Sequence, residues 1–192
     1  GMKAQRLIPL LALLLGLQLL LAWWLAGPAE APVVAEAPLL NLDIASVDAV
    51  EIADGEGGSV LLEMTDDGWR LPGHFDFPVP AARVADLLQR LSSLRPTLAV
   101  ANSDEAAGRF RVSDKAHERR IRLLTGDKAL TVLYLGDAAG PRRAYARVEG
   151  EQAIYPVAVT AFDIASDTGG WTDKAYLYQP EEGLVQLSIG AL

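Results

Sequence analysis

The stretch that decides the fold is residues 47–71, VDAVEIADGEGGSVLLEMTDDGWRL. Its short apolar runs alternate with polar residues, and alternation with a period of two is typical of a strand with one buried face. Asp54 to Gly58 lies between the runs and supplies the residues with positive φ that a hairpin turn needs. A second turn, Asp66 to Gly68, leads into Trp69. The stretch therefore predicts a three-stranded antiparallel meander.

The meander is followed by the clearest helical pattern in the chain, from Pro80 to Leu94. Its apolar residues recur at helical spacing and form a single stripe: Val84, Leu87, Leu88, Leu91 and Leu94. Proline suits the first helical position, and Pro96 stops the helix. We interpret the stripe as a face of the hydrophobic core.

The second half of the chain repeats this order of elements. Strands are predicted at Glu118–Thr125, Ala129–Leu135, Arg143–Val148 and Ala153–Val157, with a loop at Gly136–Arg142 and a helix at Ala158–Ala165. Thr97–Ala101 predicts a short strand, Asn102 to Phe110 a short helix, and Gly183–Ile189 a closing strand. The predicted fold class is therefore α+β, with two antiparallel β-meander-plus-helix units at about 47–94 and 118–165.

A long apolar run precedes these units, Leu7 to Ala26, LIPLLALLLGLQLLLAWWLA. At about 1.5 Å per residue, a helix of this length matches a hydrocarbon core of roughly 30 Å. We interpret it as an uncleaved signal anchor, which is an N-terminal transmembrane helix. The alternative is a cleaved signal peptide, although both small-x-small sites, at 29–31 and 35–37, are followed by proline.

The flanking charges give the run an orientation. Lys3 and Arg6 precede it, and no basic residue follows until Arg70, so the N-terminus is expected in the cytoplasm and the rest outside it. Trp23 and Trp24 are placed at the membrane interface, where indoles prefer the headgroup layer; the alternative is that they are two more apolar residues of the span.

Three segments follow from this pattern. Residues 1–26 form the signal anchor, residues 27–40 an Ala/Pro-rich spacer, and residues 41–192 an exported α+β domain made of the two similar units. The spacer composition favours extended, polyproline-like geometry over helix or sheet.

Composition excludes several classes of function. The 192 residues include 17 Lys and Arg against 25 Asp and Glu, a formal net charge of −8. Such an acidic chain is not expected to bind nucleic acid, which requires clustered basic residues. The chain has no cysteine, so disulfides, thiolate metal sites and cysteine nucleophiles are ruled out.

No motif predicts catalysis, a cofactor or a metal. Asp167-Thr168-Gly169 matches the triplet of aspartic proteases, but it occurs once and follows a predicted helix, so we interpret it as a helix exit. His74 and His117 are the only histidines and lack a partner at ligand spacing, so both are expected in surface or loop positions. We therefore expect a protein that is not an enzyme.

One basic concentration stands out in the acidic chain. Arg142, Arg143 and Arg147 are predicted to lie beside Arg119, Arg120 and Arg122 on a neighbouring strand. The group could form a docking patch for an anion or a protein. The alternative is that these charges only protect strand edges and maintain solubility.

The chain also carries motifs that resemble a known family. Asp67-Gly68-Trp69, Tyr145-x-Arg147 and Trp171-x-Asp173-Lys174, within about Asn41–Leu177, are similar to the bacterial membrane-anchored family known as domain of unknown function 4340. Its members often accompany gliding-motility-type ABC transporter components. The resemblance implies an accessory role in the cell envelope, and it carries no catalytic residues with it.

Two functional hypotheses result. The favoured one is a non-enzymatic, membrane-tethered periplasmic accessory module that binds a protein partner such as an ABC transporter component. It would sit in the bacterial inner membrane with a single pass. The alternative is a periplasmic ligand-binding domain, with a cleft between its two units lined by aromatic residues such as Trp69, Tyr145 or Trp171.

Overall fold

The structure is a computed structural model that describes residues 14–18, 20 and 37–172. Residues 14–18 and 20 are helical, and all elements named below lie within residues 37–172. The strands are β1 (Ala49–Asp54), β2 (Ser59–Thr65), β3 (Gly68–Leu71), β4 (Phe77–Pro78), β5 (Val112–Ser113), β6 (Ala116–His117), β7 (Arg119–Thr125), β8 (Lys128–Gly140), β9 (Arg143–Val148) and β10 (Tyr155–Val157). The helices are α1 (Ala81–Ser92) and α2 (Asp104–Arg109), with 3-10 turns at Ile44–Ser46, Ala161–Asp163 and Thr168–Gly170.

Eight of these strands form one antiparallel sheet in the order β10-β9-β8-β7-β1-β2-β3-β4. It contains two meanders, β1–β4 and β7–β10, which join where β1 pairs with β7 from Ala49↔Leu124 to Asp54↔Arg119. Strands β5 and β6 form a separate hairpin. The meander predicted from residues 47–71 is confirmed.

One face of the sheet packs against α1 and forms the main hydrophobic core. The predicted stripe of α1 is confirmed, since Val84, Leu87, Leu88 and Leu91 are buried. Leu94 is buried as well, but it lies just after the helix, which ends at Ser92 and not at Leu94 as predicted. They belong to one cluster with the inward residues of the central strands, which include Val50, Ile52, Leu62, Ile121, Leu123, Leu133 and Leu135. Residues that alternate along each strand thus supply the sheet side of this core.

The opposite face of the sheet has a smaller core under α2 and the β5–β6 hairpin. Val132 and Tyr134 of β8 pack there with Ala106, Ala107, Val112 and Ile154. Leu133 and Leu135 point to the main core instead, so this part of β8 is buried on both faces. Strand β8 therefore lies between the two cores.

Both edge strands of the sheet are short and contain proline. The edges are β4, with Pro78, and β10, with Pro156. Proline cannot donate a ladder hydrogen bond, and short edge strands resist pairing with another chain.

The predicted fold class, α+β with two β-meander-plus-helix units behind an N-terminal transmembrane helix, is wrong. The described residues form a mostly β structure around a single antiparallel sheet, because β1 and β7 hydrogen-bond along their whole length and merge the two meanders. No helix among the described residues is long and apolar enough to cross a membrane.

Three local predictions also fail. The helix predicted at Ala158–Ala165 is a single 3-10 turn, Ala161–Asp163. The loop predicted at Gly136–Arg142 is largely strand, since β8 continues to Gly140. The strand predicted at Thr97–Ala101 is reduced to one bridge, between Ala101 and Ile154.

Other predictions fall outside the described residues. Most of the Leu7–Ala26 run, including Trp23 and Trp24, lies there, as does most of the spacer. The closing strand predicted at Gly183–Ile189 also lies outside them.

Candidate functional site

The segment after β10, residues 158–172, which we name the closing segment, crosses the end of the sheet where β1 ends and β7 begins. Arg119 Nε donates to the carbonyl oxygen of Ile164 at 2.8 Å, and Ser166 Oγ donates to Asp54 Oδ2 at 2.8 Å. The Ser166 hydroxyl is the main cause that lowers the pKa of Asp54 below its ordinary value. These bonds fix the middle of the segment against the two central strands.

The far end of the closing segment is fixed as well. Arg83 of α1 donates to the carbonyl oxygen of Gly170. Trp171 is buried in the main core, and its Nε1 donates to the carbonyl oxygen of Ala165 at 3.0 Å. Because the segment follows β10 directly and is held in the middle and at its far end, it can present a side chain in a defined position.

That side chain is Phe162, which is 95% exposed. A reciprocal cap holds the turn on which it sits, since the backbone N–H and the hydroxyl of Thr160 both donate to Asp163 Oδ2 at 2.8 Å. These bonds also hold the pKa of Asp163 below its ordinary value. An aromatic side chain presented to solvent on a capped turn has the properties of an interface anchor.

Two clefts flank this turn. The first, named the strand-side cleft, has a volume of about 310 Å³ and lies between the turn and the ends of β8 and β9. Its lining includes Phe162 and four small residues, Gly136, Ala138, Gly140 and Ala144. The second, named the helix-side cleft, has a volume of about 650 Å³ and lies between the turn and the C-terminal half of α1.

Arg142 contributes to both clefts, because it occupies the turn between β8 and β9. It is exposed and makes no hydrogen bond or ion pair within residues 37–172. Its φ is 55°, a left-handed conformation that is uncommon for a residue other than glycine. The neighbouring Arg143 donates to the carbonyl oxygen of Pro156 at 3.1 Å, while its buried Nε has no partner.

Arg147, the third arginine of the predicted patch, does not join Arg142 and Arg143, because its guanidinium is bound elsewhere. Its Nε donates to the carbonyl oxygen of Val112 at 2.7 Å, and its NH1 to that of Glu151 at 3.2 Å. The guanidinium also lies over the ring of Tyr134, 5.6 Å from the centroid. Only 14% of this side chain is exposed, so it ties the small core together.

The arginines of β7 are also engaged. Arg120 and Arg122 both pair with Glu51 on β1, at 3.0 and 2.6 Å. Since Arg122 lies directly opposite Glu51 in the β1–β7 register, one carboxylate forms ion pairs with two strand residues. Arg119 contacts the closing segment on the other face. The sequence grouped six arginines. Of these, Arg142 is exposed and makes no hydrogen bond or ion pair within the described residues, although its charge, besides the bonds from Thr160, helps to lower the pKa of Asp163.

The buried polar group whose pKa departs furthest from its ordinary value lies in the smaller core. Tyr134 donates its hydroxyl to Glu149 Oε1 at 2.8 Å, and its ring lies 5.9 Å from that of His117. Burial, followed by the bond to Glu149, raises the pKa of Tyr134 from 10.0 to about 12. His117 was expected in a surface or loop position, but it lies in β6 and is buried, with Nδ1 3.1 Å from the carbonyl oxygen of Ser113.

An alkaline titration should detect this tyrosine. The difference in ultraviolet absorbance between the wild type and Tyr134→Phe should isolate one phenol that ionises at about pH 12 instead of 10. Because the folded state holds this proton more tightly than the unfolded state, stability is full below about pH 10 and is lost as the pH rises through about 12. Glu149→Gln should lower the midpoint but leave it above 10, since burial is the larger cause. A wild-type midpoint near 10 would contradict this assignment.

The remaining sequence motifs have structural roles. Asp167 caps the 3-10 turn Thr168–Gly170 by accepting from the N–H of Gly170 at 3.0 Å. Residues 55–58 are the β1–β2 turn, where Asp54 Oδ1 accepts from the N–H groups of Glu56 and Gly58. Within the described part of the chain, no three His, Asp or Glu side chains are grouped to hold a metal ion.

The aromatic residues proposed for a ligand cleft do not line one. Trp69 and Trp171 are buried in the main core. Tyr145 packs on Phe110 beside the small core, with ring centroids 4.3 Å apart. Sequence reasoning instead missed Phe162, because it placed this residue within a helix. The spacing of Thr160 and Asp163 was the available signal, since it is typical of a capped turn.

A family model described as Domain of unknown function (DUF4340) matches residues 69–191, which is well over half of the chain. The match includes all of the closing segment, α1, and β7 to β10. No curated protein and no solved structure matches the chain.

Proposed function

We propose, for a chain that belongs to the family described as Domain of unknown function (DUF4340), a non-enzymatic role as an accessory module that docks a protein partner in the cell envelope. The docking surface consists of Phe162, the strand-side cleft beside it, and Arg142 and Arg143. The observation that carries the proposal is that a phenylalanine on a capped turn is 95% exposed next to an arginine that makes no hydrogen bond or ion pair within residues 37–172.

The chemistry of this surface defines the partner that would fit. Aromatic residues and arginine are enriched at protein interfaces, and a phenylalanine that inserts into a partner pocket is a typical energetic anchor. Arg142 and Arg143 favour a carboxylate on the partner next to that pocket. We therefore expect a protein surface with an apolar pocket and an acidic rim, and the resemblance favours a component of an ABC transporter.

The location of the module is also part of the proposal. The uncharged apolar run Leu7–Ala26, preceded by Lys3 and Arg6, supports attachment to the bacterial inner membrane, with the sheet domain on the periplasmic side. Leu39 and Leu40, at the end of the Ala/Pro-rich spacer predicted at residues 27–40, are buried in the main core. The part of the spacer before them reaches about 3.1 Å per residue when extended. The docking surface would then meet its partner within some tens of ångströms of the bilayer.

The docking surface predicts a specific loss of partner binding. In intact membranes, the wild-type chain should crosslink to one protein in stoichiometric amount, and the adduct should fractionate with the membrane. Phe162→Ser should weaken the complex by about 2 kcal/mol or more, or about thirtyfold, because it removes the anchor. The adduct should therefore be lost.

Phe75→Ser is the matched control for this experiment. Phe75 is also fully exposed, but it lies in the loop between β3 and β4 at the other edge of the sheet. It should leave the adduct unchanged. Equal loss in both variants, or a wild-type chain that recovers no stoichiometric partner, would contradict the proposal.

A further inference from the structure

We propose that the helix-side cleft is a binding site for a small soluble molecule that carries a carboxylate or phosphate group. Residues 158–163 stand between this cleft and the strand-side cleft, and Arg142 is the one lining residue that the two clefts share. Its volume of about 650 Å³ is within the roughly 300–1,000 Å³ that is usual for sites of small ligands. This binding function goes beyond the docking of a protein partner.

The lining of the cleft holds three guanidinium groups and two carboxylates. The cations are Arg90, Arg95 and Arg142, and the anions are Asp86 and Asp163. This excess of positive charge is found in a chain whose formal net charge is −8. An acidic protein that gathers arginines around a concave site has a local potential opposite to its overall charge.

Both carboxylates in the cleft are already occupied. Asp86 pairs with Arg90 one helical turn away, at 3.0 Å. Asp163 accepts two hydrogen bonds from Thr160 at 2.8 Å. Besides these bonds, the charge of Arg142 helps to lower the pKa of Asp163, but neither acid forms an ion pair with Arg142 or Arg95, so an incoming anion does not have to displace one to reach these two residues.

The two remaining arginines have donors to offer. Arg142 has no hydrogen-bond or ion-pair partner within residues 37–172. Arg95 donates only through NH1, to the carbonyl oxygens of Ser92 and Leu94 at 3.1 and 3.4 Å. A guanidinium presents its donors as a planar fork that matches carboxylate and phosphate oxygens, so these two residues form a suitable pair of anchors.

The rest of the lining would orient the bound molecule. The side chain of Gln89 projects from the exposed face of α1 into the cleft and makes no hydrogen bond within the described residues. Leu94 and Val159 supply apolar surface. The lining is thus mainly polar, with a smaller apolar part, which suits a charged molecule better than an apolar one. The left-handed backbone of Arg142, φ 55°, is an outlier of the kind that often accompanies a binding role.

Isothermal titration of the full chain in a non-ionic detergent tests the site. Citrate and inorganic phosphate are the probes, at low ionic strength, where charge interactions are least screened. We expect saturable binding of at least one probe with a stoichiometry of one. The double variant Arg95→Gln/Arg142→Gln should weaken that binding by about tenfold or more, because it removes two charge-assisted contacts.

Two control variants show whether binding depends on this cleft. Lys128→Gln removes an exposed positive charge at the turn between β7 and β8 and should leave the affinity unchanged. Phe162→Ser should also leave it unchanged, which distinguishes this site from the protein-docking surface. The absence of saturable binding by either probe, or equal affinity in the double variant, would overturn the proposal. Binding to vesicles of an anionic phospholipid is measured in the same way. If the double variant weakened binding only to these vesicles, the proposal would also be overturned.

Discussion

Leu91→Ala should lower the free energy of unfolding by about 2–5 kcal/mol, the range that is usual for leucine truncation in a well-packed core. Leu91 is fully buried in the cluster that joins α1 to the sheet. Its removal loses the transfer free energy of the side chain and leaves a cavity, because neighbours from several strands cannot all relax into the space.

Denaturant unfolding followed by tryptophan fluorescence measures this effect, since Trp69 and Trp171 lie in the same cluster. The midpoint should fall without a change in the denaturant slope. Gln89→Ala, on the exposed face of the same helix, is the matched control and should change stability by less than about 0.5 kcal/mol. A loss below about 1 kcal/mol in Leu91→Ala would mean that α1 is not a structural part of the core.

The success of the α1 prediction and the failure of the predicted architecture have different physical origins. The stripe of α1 depends on residues three and four positions apart, so it is visible in the sequence. The pairing of β1 with β7 joins residues about 70 positions apart, such as Glu51 and Arg122. The turns within each meander can be read from the local sequence. No local pattern indicates that both meanders belong to one sheet.

The extension of β8 shows a second limit. The sequence GDAAG, residues 136–140, predicts a loop because its residues are small and include glycine. In the structure these residues continue the strand, and the register with β9 shifts between Leu135 and Gly140. Glycine is needed at position 136 because the carbonyl oxygens of Phe110 and Arg111 approach the strand closely there. The same composition thus indicates a loop locally and a tight packing site in the fold.

The candidate site was predictable in part. The sequence identified Arg142 and Arg143, since a turn between two strands places both at the same end of the sheet. The sequence also predicted Arg147 as part of the patch, because residues 143 and 147 lie on the same face of a strand. The structure covers that end of β9 with β5, so Arg147 binds the carbonyl oxygen of Val112 instead. Whether a strand face is covered depends on tertiary packing and is not readable from alternation alone.

Gly136→Ala and Gly108→Ala should change stability in opposite directions. A Cβ at position 136 would clash with the carbonyl oxygen of Phe110 and would lie 2.5 Å from that of Arg111. Both are backbone atoms and cannot rotate away as a side chain can. The cost should therefore be about 3 kcal/mol, at the upper end of the range for overpacking.

A Cβ at position 108, in α2, meets nothing within 4 Å. Alanine is the better helix former, so this substitution should stabilise the protein by about 0.5–1 kcal/mol. No local sequence pattern distinguishes the two glycines. The two glycines differ only in the fold, where the chain after α2 packs onto β8 at Gly136. The N–H of Asp137 donates to the carbonyl oxygen of Phe110 there, at 3.1 Å.

Thermal and denaturant unfolding of both variants therefore tests this packing directly. If Gly136→Ala were neutral, the segment Phe110–Arg111 would not lie against β8, and the small core would be placed incorrectly. The consequence extends to function, because the part of β8 beyond Gly136 leads to the turn that carries Arg142. Gly136→Ala should consequently also disturb both clefts, while Gly108→Ala should leave partner and anion binding intact.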